Sequence, residues 1–144
     1  MSSFTSIPGF SVFAVSILVL VLKVFAVTLT TPVVRAKAKV KVNPEDSGGE
    51  LAAVEPDAVA RMQRVVRNDL ENIPLFCAVG AVAVLAGAGG WLLIGCSAAF
   101  VVARLLHTAF YLGKQSAPRT ASYAVGVLST LVLAFGAVVP LLGR

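Results

Sequence analysis

The chain alternates long apolar runs with short polar ones, and the lengths of those runs predict its elements. Residues 9–34 form an apolar run whose single charge is Lys23. Twenty helical residues at 1.5 Å each cross the roughly 30 Å of a bilayer's hydrocarbon, so a first membrane span over about 9–34 is predicted, with Pro32 marking its exit. The polar stretch 35–56, broken by Pro44 and the Gly48-Gly49 pair, predicts the principal loop. Asp57 then stands where an N-cap would open a second helix over 57–86. Its first turns are polar, and its later turns, Ile73 to Ala86, carry no polar side chain but the Cys77 thiol.

Residues 72–103 hold no charge at all. One helix over this whole run would measure roughly 48 Å, which overshoots the bilayer. The Gly87-Ala88-Gly89-Gly90 break, with Trp91 behind it as an interfacial anchor, divides the run into a second span and a third over about 91–114. Ala117-Pro118 opens a fourth over about 118–142. The expected fold is all-α: one four-span membrane domain, an up-down four-helix bundle over residues 1–144. The N-terminal MSSFTSIPGF has no basic residue before the apolar run and no small-residue cleavage pattern, so the first helix is expected to stay.

Composition narrows the class. Charged residues make up 13% of the chain against about a quarter in soluble domains, and 58% is apolar, which excludes most water-soluble enzymes. A net charge of +5 raises the question of nucleic acid, but the basic residues lie beside spans, so no nucleic-acid partner is expected. They set topology instead. With four spans, Arg35, Lys37, Lys39, Lys41, Arg61, Arg64, Arg67, Lys114 and Arg119 share one side and Arg144 takes the other, which places both termini away from the cytoplasm. Cys77 and Cys96 sit in uncharged runs, where a thiol packs as a small apolar group. One His and two distant Cys make no four-ligand set, so no metal site is expected.

The remaining charges are arranged for chemistry. Arg64, Arg67, Asn68 and Glu71 follow steps of three, one and three, which at 100° per residue keeps them within an arc of about 100°. Asp69 points elsewhere and is expected to cap or pair structurally, with Lys23 expected to pair with Asp69 or Glu71. Arg104, His107, Tyr111 and Lys114 make a second one-sided stripe, and Arg119 and Tyr123 are neighbours on the fourth helix. All lie in the same half of their spans as Arg35, so they are expected to converge on one inward-facing layer. Polar groups at membrane depth are costly, about 2.5–3.5 kcal/mol for a central charge, and mark a site. Guanidinium groups bind carboxylate or phosphate in bidentate fashion, and Glu71 and Asn68 add acceptors suited to an ammonium or amide. A small molecule with carboxylates and an amino group would use the whole set. Tyr111, Thr120 and Tyr123 add hydroxyls near a cation, a setting that lowers a thiol's pKa.

The stretches Arg64-Val65-Val66-Arg67-Asn68-Asp69-Leu70-Glu71-Asn72-Ile73 and Arg104-Leu105-Leu106-His107-Thr108-Ala109-Phe110-Tyr111-Leu112-Gly113-Lys114, followed by Ala117-Pro118, closely resemble the membrane-associated proteins in eicosanoid and glutathione metabolism. Within that family the likeness is to the microsomal glutathione transferase and prostaglandin E synthase branch. It extends to Lys23, Arg35 and the Asn43-Pro44-Glu45-Asp46 turn. The resemblance implies a homotrimer of four-helix subunits with glutathione bound between neighbours and open to the cytoplasm. Carried over by position, Arg35, Arg64, Arg67, Asn68, Glu71, His107, Tyr111 and Tyr123 match the glutathione contacts. Arg119 matches the arginine that stabilises the thiolate, Asp46 an aspartate assisting it, and Thr120 a serine near the thiol. The chain departs from the branch at Val66, where His is common, and at Arg119, which follows Pro118 directly. Asn72 is nearer the transferase pattern and Arg67 nearer the synthase.

The expectation is a glutathione transferase or peroxidase in which the bound thiolate attacks lipophilic electrophiles or hydroperoxides, a detoxification activity. The close alternative is a glutathione-dependent isomerase of a prostaglandin-type endoperoxide. A lipid-binding scaffold or small transporter is the alternative of another class, disfavoured because small exporters depend on an acidic residue in span one and this span has only Lys23. Richness in Ala, Val and Gly points to a bacterial inner membrane.

Overall fold

The computed structural model describes residues 6–39, 41, 45 and 55–143. Four helices account for nearly all of these: α1 (Phe10–Lys37), α2 (Asp57–Ala86), α3 (Gly90–Leu112) and α4 (Ser116–Leu142). Each is long and apolar enough to cross a membrane. α1 runs through Pro32 to Lys37, and its 28 residues span about 42 Å, so its last turns reach beyond the hydrocarbon. Asp57 is the first helical residue of α2 and not its cap, which is Pro56; its carboxylate is taken instead by Arg61 at 2.8 Å and Lys114 at 3.5 Å.

The bundle is held by seams at helical spacing. On α1 the buried residues are Phe13, Ser16, Leu20, Lys23, Val27 and Thr31, steps of three or four that keep one narrow stripe toward the core. α1 packs on α2 and α3, while α4 packs on α3 and α2. Phe76 stacks on Phe100 with ring centres 4.0 Å apart and meets Phe13 edge-on at 5.9 Å, tying α1, α2 and α3 together. Cys96 is buried in this cluster and Cys77 packs against it, both as free thiols. Outward, Leu18, Leu22, Leu29, Leu85, Phe135 and Val139 are exposed, the surface expected of a bundle solvated by lipid or by further helices.

Two short turns fix the helix order. After α2, Gly87 takes a left-handed conformation (φ 73°), and the amides of Gly87 and Ala88 donate back to Val84 and Ala83, so the chain reverses directly into α3 with Trp91 exposed in its first turn. Between α3 and α4, Lys114 adopts φ 61° and the Gln115 amide donates to the Phe110 carbonyl at 2.9 Å. That tight turn sets Arg119 of α4 beside His107 of α3.

Gly80 lets α1 close on α2, since a Cβ there would fall inside the Phe13 ring. Gly80→Ala should therefore destabilise the bundle by about 1–3 kcal/mol through overpacking, read as a lower thermal midpoint in detergent. A midpoint equal to that of the parent chain would show that the α1/α2 contact is loose at this level.

Candidate functional site

The helix ends at Lys37, Asp57, Leu112 and Ser116 lie at one end of the bundle, and the polar side chains within about four turns of that end form two groups. The first is internal. Lys23 of α1 and Asp69 of α2 are both buried and form an ion pair. Next to them Arg104 of α3 is fully buried, at 0% exposure, a rare placement for a guanidinium in any protein. Its Nη1 donates to the Asn68 side-chain oxygen at 2.7 Å. Its charge lies 5.6 Å from the ring centres of both Phe100 and Tyr123. Gly126 of α4 makes the room: a Cβ there would stand 2.9 Å from Nη2 and 3.2 Å from Nε.

His107, one turn toward the loop end, is buried as well. Its Nδ1 lies 3.2 Å from the Arg119 carbonyl oxygen, which can only accept, so Nδ1 carries the proton. Nε2 of His107, Nε and Nη2 of Arg104 and Oδ1 of Asp69 are buried with no hydrogen-bond partner among the described residues. Buried polar groups are normally satisfied, so this cluster of open valences singles out the region as a candidate site.

The second group faces outward. Arg64, Arg67 and Glu71 are exposed along α2, with Arg67 Nε 4.0 Å from a Glu71 carboxylate oxygen. Beside them runs a groove of about 400 Å³ between α1 and α2, lined by Thr31, Arg35, Gln63, Val66, Arg67 and Leu70. Arg35 is half-buried in it, with its Nε buried and unpartnered among the described residues. A second, polar recess of about 360 Å³ is lined by Glu55, Gln63, Arg64 and Arg67.

Arg119 and Tyr111 close the loop end between the two groups. The Arg119 guanidinium carbon lies 4.8 Å over the Tyr111 ring, which holds the half-buried arginine by its flat face and leaves its N–H edges without a partner among the described residues. Tyr123 is partly exposed, its ring 6.2 Å from that of His107, and Tyr111 lies 5.7 Å from His107 on the other side. The exposed Thr120 donates its hydroxyl proton to the Ser116 carbonyl at 3.0 Å, so that proton is committed to its own helix.

The residues expected to converge on one layer thus divide within a single subunit. Arg104, His107, Tyr111, Arg119 and Tyr123 come together with Lys23 and Asp69, while Arg35, Arg64, Arg67 and Glu71 face away. The reason is angular. On α2 the buried Val65, Asp69, Ile73 and Phe76 lie about 100–180° around the helix from Arg64, so the arc holding Arg64, Arg67 and Glu71 is turned outward, with Asn68 at its inner edge. Asn68 is also not a free acceptor, because its oxygen serves Arg104. Asp46 lies outside the described residues, as do Asn43 and Pro44. Gln63 and Gly126 have structural parts that their residue types did not announce. Gln63 lines both recesses, and Gly126 is legible only once Arg104 is seen to need space in α4.

The MAPEG family matches residues 13–139. Among curated proteins the chain is similar to human prostaglandin E synthase, 34% identical over 128 residues that cover 85% of this chain and 84% of that protein. It is similar also to prostaglandin E synthase of Equus caballus, 36% identical over 113 residues covering 76% and 74%. Human microsomal glutathione S-transferase 1 matches at 34% identity over 134 residues, 88% of this chain and 86% of that protein.

Proposed function

The chain belongs to the MAPEG family, and from that premise we propose that it is a membrane-embedded, glutathione-dependent enzyme that activates the glutathione thiolate for attack on lipid-soluble substrates. The reading is carried by one observation: Arg35, Arg64, Arg67 and Arg119 all lie toward one end of the bundle, with Glu71 exposed beside Arg67 and the buried Arg104 behind them. Such a set suits a tripeptide with two carboxylates, one ammonium and an anionic sulfur. The relatives named for glutathione transfer and for prostaglandin E synthesis support the same chemistry.

In this reading Arg35, Arg64 and Arg67 receive carboxylates and Glu71 the ammonium. His107, Tyr111 and Tyr123 wall the sulfur end, and Arg119 stabilises the thiolate, with Asp46 proposed to assist it. Thr120 would touch the sulfur only after releasing Ser116. The outward turn of the α2 stripe favours a homotrimer in which that face meets the α3/α4 face of a neighbour, so that each ligand lies between two subunits. The site then opens to the cytoplasm of a bacterial inner membrane, with both termini on the other side.

For a chloronitroaromatic the step is a substitution: the thiolate sulfur bonds the ring carbon, and the carbon–chlorine bond breaks with chloride leaving. With a lipid hydroperoxide the thiolate sulfur would bond the terminal oxygen as the O–O bond breaks and the alkoxide leaves to take a proton, and a second glutathione would reduce the resulting sulfenic acid, giving the disulfide and water. A prostaglandin-type endoperoxide is the second reading, favoured by the synthase relatives: the thiolate sulfur bonds one oxygen as the O–O bond breaks and the other oxygen takes a proton, then the carbon bearing the first oxygen loses its proton to form the carbonyl as the S–O bond breaks and the thiolate returns. Purified protein in detergent, mixed with glutathione, should develop thiolate absorbance in the ultraviolet and conjugate 1-chloro-2,4-dinitrobenzene. Parallel assays with cumene hydroperoxide and an endoperoxide rank the three activities, and light scattering reads the assembly. No thiolate signal and no product in any assay would refute the proposal.

A further inference from the structure

His107 has two ring nitrogens, and the fold commits one and encloses the other. Nδ1 lies 3.2 Å from the Arg119 carbonyl oxygen, so it carries the proton and Nε2 keeps the lone pair. Nε2 is buried with no partner among the described residues, and the whole residue is only 4% exposed. The Tyr111 and Tyr123 rings flank the imidazole, centred 5.7 Å and 6.2 Å from it. On the surface of this end the accessible groups are those two tyrosines and Arg119, not a nitrogen of His107.

The contact that His107 does make falls where the fold most needs one. α4 begins at Ser116, so Arg119 lies in its first turn. The first four N–H groups of a helix have no partner within it, so that turn is held less firmly than the interior. His107 and Tyr111 stand four residues apart on one face of α3 and hold Arg119 at two points. The imidazole takes its main-chain carbonyl, and the phenol ring takes its guanidinium, whose carbon lies 4.8 Å over the ring centre. We propose that His107 is a positioning residue: its Nδ1–H fixes the main chain of Arg119 so that the guanidinium stands at the sulfur, and the imidazole does not itself bond the bound tripeptide. The proposal rests on the glutathione reading above and deepens it. The ring closes the sulfur end from behind Arg119, and the direct contact implied by family position becomes an indirect one.

Side-chain amides separate the two nitrogens. Asn carries its NH2 on Cγ, where His carries Nδ1, and Gln carries its NH2 one atom further out, near the place of Nε2. His107→Asn can still donate to the Arg119 carbonyl, so it should lose no more than about threefold in kcat/KM, whereas His107→Gln and His107→Leu should each lose about tenfold or more, carried by kcat with KM for glutathione little changed. Thiolate absorbance of the bound tripeptide should titrate at higher pH in the Gln and Leu variants and at the parent's pH in the Asn variant. A purely structural role would lower the thermal midpoint in detergent and leave that titration where the parent has it. Added to Arg119→Ala, His107→Gln should cost almost nothing further, because its effect runs through a guanidinium already removed. The proposal is overturned by a Gln variant that matches the parent while Asn is impaired, by equal losses in all three variants, by a loss carried in KM, or by a full further loss on the Arg119→Ala background. If the parent binds glutathione and ionises its thiol while the variants sort in one of those ways, only the positioning role falls. A parent protein that does neither overturns both readings.

Discussion

Asp69→Leu should destabilise the bundle by about 3–5 kcal/mol, the loss expected when one partner of a buried ion pair is removed and the other charge is stranded. The expected loss is large because of what surrounds it. Lys23 lies in the middle of α1, buried among apolar seams and paired with Asp69, and the fully buried Arg104 lies within electrostatic reach of the same carboxylate without bonding to it. Removing it leaves both in the interior of a membrane-spanning bundle, where a central charge is costly even on insertion scales. Lys23→Met should be milder, because Asp69 keeps Arg104 as a counter-charge. The double variant Lys23→Met with Asp69→Leu should be more stable than the sum of the single losses implies, since it strands only Arg104. Thermal midpoints of the four proteins in one detergent give the cycle. Strictly additive losses, or a Lys23→Met variant less stable than Asp69→Leu, would show that Asp69 does not serve both cations.

This pair also shows how far the chain could be read before its fold was known. A lysine in an apolar run needs a partner at membrane depth, and the candidates on the second helix were Asp69 and Glu71; the angle of Asp69 away from the Arg64–Glu71 arc makes it the structural partner. Span number was legible for a similar reason, because a helix of 32 uncharged residues cannot fit a bilayer and the Gly87–Gly90 break resolves the excess. What could not be read was facing. The stripes on α2 and α3 are each one-sided, but the α3 stripe turns inward at Arg104 and His107 while the α2 stripe turns outward at Arg64, Arg67 and Glu71. Periodicity fixes which residues share a face, and only the surrounding apolar positions say where that face points. The commitment of the Asn68 oxygen was less accessible still, since it depends on a guanidinium 36 residues away on another helix and on the glycine that makes room for it.

Arg119→Ala should lower kcat/KM by about 10²–10³-fold near neutral pH, the scale seen when a preorganised donor to a developing or bound anion is removed. In the fold, Arg119 is suited to that task. Its backbone carbonyl is held by His107 Nδ1 and its guanidinium lies over the Tyr111 ring, so the side chain is oriented by contacts that leave its N–H donors unused among the described residues. A cation placed beside the bound sulfur favours the thiolate over the thiol and so lowers the thiol's pKa below about 8.5, the ordinary thiol value. The sign of the pH dependence follows. With Arg119 the nucleophile is ionised at neutral pH and the rate is nearly flat from there upward. Without it the bound thiol titrates near or above its free value, so the deficit is greatest at low pH and shrinks as pH rises through about 8.5 to 9.5. Thiolate absorbance of the bound tripeptide should track the same shift, while glutathione affinity and assembly stay near those of the parent. Arg119→Lys keeps the charge but not the fork, and should retain most of the shift in pKa with a smaller loss in rate. A rate deficit that is equal at pH 6.5 and pH 9.5 would rule out thiolate stabilisation and leave Arg119 as a group that orients the electrophile.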